Sequence, residues 1–113
     1  MTDASNQRPI GNVERALFRT YVNCRLTIAH PRDLYQAYDF TQEQLAMIAG
    51  CSLATMERWL SRNYEPRMLK EVYLRRLGEF QFLLHNYPQI PVEVWNRLCP
   101  LPPRDRAVLY PDE

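Results

Sequence analysis

Glycine is scarce in this chain, three residues in 113, and none of the three stands in a glycine-rich loop. A phosphate-cradling loop needs several glycines so that backbone can approach the ligand, and that class of site is excluded. Lysine is scarcer: of fourteen basic residues only Lys70 is not arginine. Arginine suits bidentate pairing with phosphates, carboxylates and guanine edges, although genome base composition produces the same bias. No apolar run approaches the length of a membrane span, and the opening residues, MTDASNQRPIGN, lack the hydrophobic segment of a signal peptide. The expected location is the cytoplasm. Cys24, Cys51 and Cys99 lie far apart, are odd in number, and show no Cys-x-x-Cys or Cys/His ligand spacing. They are expected to be reduced and at least half-buried thiols, with neither metal nor cofactor implied. His30 and His85 have no nucleophile or carboxylate pair beside them in sequence, so no catalytic site is expected.

What is present is ordinary for a globular chain: 46% hydrophobic and 24% charged residues, at a length that supports one domain. The formal net charge of +1 gives none of the long-range field of a strongly basic nucleic-acid binder. A local basic patch can still suffice.

Along the chain, residues 1–12 are polar and expected to be mobile. From Val13 to Ala29 two periods compete: Leu17, Tyr21, Cys24 and Ile28 share a helical face, while Val22, Cys24, Leu26 and Ile28 alternate as in a strand. Length and the lack of a partner strand favour helix. Pro31 suits the first turn of a helix bearing Leu34, Tyr35 and Tyr38 on its inner face. Pro66 opens a long amphipathic helix to about Tyr87, apolar at Leu69, Val72, Tyr73, Leu77, Phe80, Leu84 and Tyr87. Its second half, FQFLLHNY, is apolar nearly all round and calls for cover by the following helix, PVEVWNRL, or by a second copy. The tail, CPLPPRDRAVLYPDE, reads as extended or polyproline-like at least in part. The expected architecture is a compact all-α domain of five to six helices over residues 13–99, with a Pro-rich tail over 100–113.

The stretch that carries chemistry is TQEQLAMIAGCSLATMERWL, Thr41 to Leu60. Thr41 can cap a first helix, and Gln44 three residues on can reach back to complete a capping box, with Phe40 and Leu45 placed as a hydrophobic staple. Leu45, Ile48 and Ala49 share a face. Gly50 stands where that helix must end in a left-handed residue. Ser52 is a good cap for the second helix, whose inward stripe is Met56, Trp59 and Leu60.

Leu45, Ala46, Gly50, Cys51, Met56 and Trp59, counted from Gln42, match constrained positions of a known motif. The stretch resembles the helix-turn-helix of bacterial and phage repressor-type DNA-binding domains over about twenty of the 113 residues. That resemblance implies a recognition helix from Ser52 to Arg62 lying in the major groove of double-stranded DNA. It implies that Gln42, which opens the first helix, would touch a phosphate, and Thr41 beside it is included among the DNA-binding residues. Ser52, Leu53 and Ala54 would then sit at the groove floor, Glu57 and Arg58 one turn later and Arg62 at phosphate, with Thr55 and Ser61 also counted as DNA-binding. Arg58 can pair guanine bidentately, Glu57 can accept from cytosine N4, and Leu53 or Ala54 can pack on a thymine methyl. Between Thr41 and Asn63, Glu43 and Glu57 cancel Arg58 and Arg62, so the motif needs outside cations for phosphate neutralisation. Candidates are Arg15, Arg19, Arg25, Arg32, Arg67, Lys70, Arg75 and Arg76. The expected function is a sequence-specific DNA-binding transcriptional regulator, acting as a homodimer because one reading head contacts few bases. Two alternatives stand beside it. One is a DNA-binding accessory protein of a mobile element or recombination system. The other is a helix-turn-helix serving protein interaction, with a partner held by the C-terminal helix or tail.

Overall fold

The computed structural model describes residues 8–24, 26–61 and 70–112. Among them the chain is all-helical: α1 (Asn12–Val22), α2 (Arg32–Ala37), α3 (Gln42–Ala49), α4 (Leu53–Leu60), α5 (Glu71–Asn86), a 3₁₀ turn (Tyr87–Gln89), α6 (Val92–Leu98) and α7 (Pro103–Leu109). The expectation for 1–12 falls largely outside the described residues, which begin at Arg8.

The segment expected as one helix to Ala29 is shorter. α1 ends at Val22, with Asn23 as its cap: the Asn23 side chain competes for the Arg19 carbonyl, Nδ2 donating at 2.8 Å against 3.3 Å for the backbone N–H. Short amide side chains compete in this way with helix continuation. Leu26–Ile28 then crosses α5, where the Ile28 N–H donates to Leu74 O at 3.3 Å. The crossing is close enough that a Cβ built on Gly78 would stand 1.2 Å from Leu26 O. Gly78 therefore admits a strand of backbone against a helix, a use of glycine that weighs more here than its cost in helix propensity.

α2 starts directly after Pro31, as expected, but only its Leu34 is buried; Tyr35 and Tyr38 are each 40% exposed. The core gathers Ile28, Leu34, Leu45, Ala46, Ala49, Met56, Trp59 and Leu77, with Phe40, Ile48, Leu60, Tyr73, Leu74, Phe80 and Leu84 packed around them. Phe40 meets Phe80 edge-on at 5.4 Å, and Trp59 leans on Tyr73 at 5.4 Å. Aromatic pairs at this spacing contribute beyond simple area burial.

The long helix starts at Glu71 rather than near Pro66, since Lys70 is still extended at φ −88°, ψ 130°; Pro66 and Leu69 lie outside the described residues. Its second half is covered only in part: Phe80, Leu83, Leu84 and Tyr87 line an apolar cleft with Trp95 of α6 and Leu109 of α7, while Phe82 stays 47% exposed. The tail is extended only in its first part. Pro102 is extended, but Pro103–Leu109 is helix. A proline at the first helical position has no N–H to lose and already holds helical φ, so this proline pair starts a helix. The tail is tied back by Tyr110, whose hydroxyl reaches Ile90 O at 2.6 Å and Tyr87 O at 3.0 Å. Cys24 and Cys51 are half-buried, whereas Cys99 is exposed, contrary to expectation.

Candidate nucleic-acid interface

The two helices of the central motif are set by their own caps. Thr41 Oγ1 accepts from the Gln44 N–H at 3.0 Å, and the Thr41 N–H donates to Gln44 Oε1 at 2.9 Å. Both bonds of the capping box are therefore made, each satisfying a donor left over at the helix start. At the other end of α3, Gly50 adopts φ 81°, ψ 27°. Its N–H and that of Cys51 both donate to Ala46 O, at 2.8 and 3.1 Å, while Arg76 Nε reaches across from α5 to donate to Ile48 O at 2.9 Å. A cation suits the negative end of the helix dipole, and the left-handed glycine turns the chain sharply. Burial raises the Cys51 thiol above its ordinary pKa, against a smaller opposing effect of its backbone hydrogen bond. The residue is thus a packing thiol and not a thiolate at neutral pH.

α4 follows with Ser52 as its cap, the hydroxyl accepting from the Thr55 N–H at 3.1 Å and donating to Thr55 Oγ1 at 2.9 Å. Met56 and Trp59 are buried beneath the helix, at 0% and 2% exposure. On the other side Ser52, Leu53, Ala54, Glu57, Arg58 and Ser61 are exposed, and Thr55 is half-buried. No other element roofs this face among the described residues. Ser61 Oγ donates to Arg58 O at 2.7 Å and closes the helix. The Ser52 and Ser61 hydroxyls are therefore engaged by the helix ends, which leaves Leu53, Ala54, Glu57 and Arg58 as the side chains most available to another molecule. Arg62, Arg25 and Arg67 lie outside the described residues.

Thr41 and Gln42 belong to the same surface through α2. Tyr35, Tyr38, Asp39, Phe40, Thr41 and Gln42 line one open cleft, and Arg32, Tyr35, Gln36 and Leu60 line the next. Tyr35 is common to both, so a furrow runs along α2 from the start of α3 to the end of α4. Of these, Arg32 is among the cations expected from the sequence to neutralise phosphate, whereas the sequence reading assigns no functional role to Tyr35, Gln36 or Tyr38. The available signal was the tyrosine itself, whose hydroxyl belongs at a wet edge even when its ring packs inward.

The candidate cations divide. Arg76 is committed to capping α3, and Arg75 lies over the Tyr21 ring at 4.2 Å. Lys70 stands over Tyr73 at 5.8 Å, the ring that supports Trp59. Arg15 and Arg19 are exposed on α1. Arg32 lines a cleft with Leu60 of α4. Among the described residues no group of three or more His, Cys, Asp or Glu could hold a metal ion, and no helix is long and apolar enough to cross a membrane.

Comparison with protein-family models, curated protein sequences and solved structures finds no match to this chain.

Proposed function

We propose that this protein is a sequence-specific double-stranded DNA-binding regulator of transcription, acting in two copies. It would read the major groove with the outer face of α4. One observation carries the proposal: Met56 and Trp59 anchor α4 from below while Leu53, Ala54, Glu57 and Arg58 stand in solvent on the other side. A helix of this kind fits the major groove, and those four side chains match the hydrogen-bonding and methyl patterns of base pairs. The furrow along α2 adds phosphate donors beside it: the Arg32 guanidinium, the Tyr35 and Tyr38 hydroxyls, and the first N–H groups of α3 near Gln42. Asp39 and Glu43 oppose phosphate in the same region. The expected affinity is therefore modest at physiological salt, and its salt dependence corresponds to few phosphate contacts per copy.

Titration of labelled duplex at several salt concentrations tests this. A log–log plot is expected to fall linearly with a shallow slope, and Arg58→Ala is expected to weaken specific binding by about 1–3 kcal/mol and relax base choice at one position. Absence of duplex binding at low salt would overturn the proposal. Unchanged specificity in Arg58→Ala would remove the role assigned to that residue.

A further inference from the structure

α1 carries an apolar arc that nothing in the described fold covers. None of its residues is buried. Exposure runs from 55% at Val22 through 58% at Tyr21, 64% at Leu17 and 66% at Phe18 to 67% at Val13. At 100° per residue these five side chains occupy one half of the helix circumference, and Asn12, Arg15 and Arg19 the other. Scattered exposed apolar residues are normal, but a contiguous stripe on the order of 600 Å² is at the upper end of what a monomer shows.

Charge identifies what covers it. Glu14, Phe18 and Tyr21 lie in one row, at i, i+4 and i+7, inside the arc. At the C-terminal end of that row the Arg75 guanidinium sits on the Tyr21 ring, with Nε and Nη2 buried and without a hydrogen-bond partner. At the N-terminal end Glu14 Oε1 accepts from the Gly11 N–H at 2.8 Å. Its own backbone N–H and that of Gly11 hold the carboxyl below its ordinary pKa, so it is charged at neutral pH. The row thus ends in an acid on one side and, on the other, a cation that forms no ion pair among the described residues, with Glu71 and Glu79 a turn away on α5; the two ends are about 10 Å apart along the helix.

We propose that α1 is the contact between two copies of this chain, laid antiparallel across a two-fold axis near Phe18. The symmetry sets Glu14 of each copy against the exposed Tyr21 ring of the other, with the Arg75 guanidinium stacked on that ring, and buries the apolar arc between them. Complete burial of the two arcs would remove on the order of 1,200 Å² from water, which is the lower limit of a standard stable interface and accords with a reversible dimer. A second copy supplies both charges at the required spacing by symmetry. A membrane surface does not, because it would take the Glu14 carboxylate into the apolar layer along with the arc. The proposal rests on the two-copy part of the function given above, and is tested without DNA so that the two can fail separately.

Sedimentation equilibrium of the full chain, over about 1–200 μM, is expected to show a reversible dimer. Phe18→Glu touches neither the core nor the α1 cap; it is expected to give monomers with an unchanged far-ultraviolet circular dichroism spectrum. Glu14→Arg and Arg75→Glu are each expected to raise the dimer Kd about tenfold or more, and the combined variant to return it to within about threefold of the parent. Glu14→Arg also removes a cap and Arg75→Glu a ring contact, so recovery in the combination separates pairing from structural damage, which would accumulate. A monomeric parent chain, a dimer insensitive to Phe18→Glu, or additive loss in the combined variant overturns the proposal. So does flotation of the parent chain, but not of Phe18→Glu, with anionic phospholipid vesicles. A monomer that binds duplex refutes α1 pairing alone; a dimer that binds none refutes the DNA function alone.

Discussion

At the scale of single residues, His30 shows how position converts chemistry into pH dependence. Its Nδ1 accepts from the Arg32 N–H at 3.0 Å, which requires the unprotonated ring nitrogen. Burial, and secondarily the Arg32 charge, push its pKa below the ordinary 6.5, with Asp33 opposing. The unfolded chain therefore binds a proton near 6.5 that the folded chain resists. In that window the unfolded state holds more protons, and stability falls as pH falls. The His30 contribution is complete above 6.5 and lost progressively below it, down to the folded value. Urea unfolding at about pH 7.5 and about pH 5.5 is expected to give a lower midpoint at the acid pH. In His30→Gln the difference between the two midpoints should shrink. An unchanged difference would show that the histidine carries none of it.

At the scale of elements, Gly78 decides how α1 and α2 are joined across α5. In an exposed helix interior, replacing glycine by alanine stabilises by about 0.5–1 kcal/mol. Here the new Cβ would stand 1.2 Å from Leu26 O and 2.8 Å from Thr27 Cα, and backbone cannot yield as a flexible side chain would. Gly78→Ala is therefore expected to destabilise by about 1–3 kcal/mol, as overpacking of a closed contact does, and to free the Leu26–Ile28 crossing. Denaturant unfolding gives the sign, and amide exchange at Ile28, whose N–H donates to Leu74 O, locates the damage. A stabilised Gly78→Ala protein would show that the crossing segment moves aside at little cost. Gly50 is the contrasting glycine: there it is the left-handed φ of 81° that requires it, with the Arg76 side chain merely close by.

At the scale of the whole molecule, one copy presents a single α4 of eight residues; under the proposed DNA-binding function it would read too few base pairs to find one site in a genome. Pairing through α1 would place two such helices in a fixed relation. Selection of bound duplexes from a random pool is expected to return inverted repeats, with half-sites separated by about one helical turn or a multiple of it. Direct repeats or single half-sites would exclude two-fold binding. The promoter regulator and the mobile-element accessory protein separate on the same data: selected sites falling upstream of transcription starts favour the first, and sites at repeated element ends the second.

Much of this protein is determined locally and is therefore legible in its residues. The Thr41–Gln44 box, the left-handed Gly50 and the Ser52 cap each involve groups within three or four positions. Their physics is complete in the stretch that contains them, and burial of Leu45, Met56 and Trp59 follows from helical spacing alone. What lies beyond short range was decided by the fold. The chain returns over Gly78, and the helix that follows Pro102 is held against the end of α5 by Tyr110, whose hydroxyl meets the carbonyls of Tyr87 and Ile90. The exposure of Tyr35, and the assignment of Arg76 to α3, likewise depend on partners many residues distant. Such contacts couple positions with no fixed spacing, so no periodicity in the chain announces them.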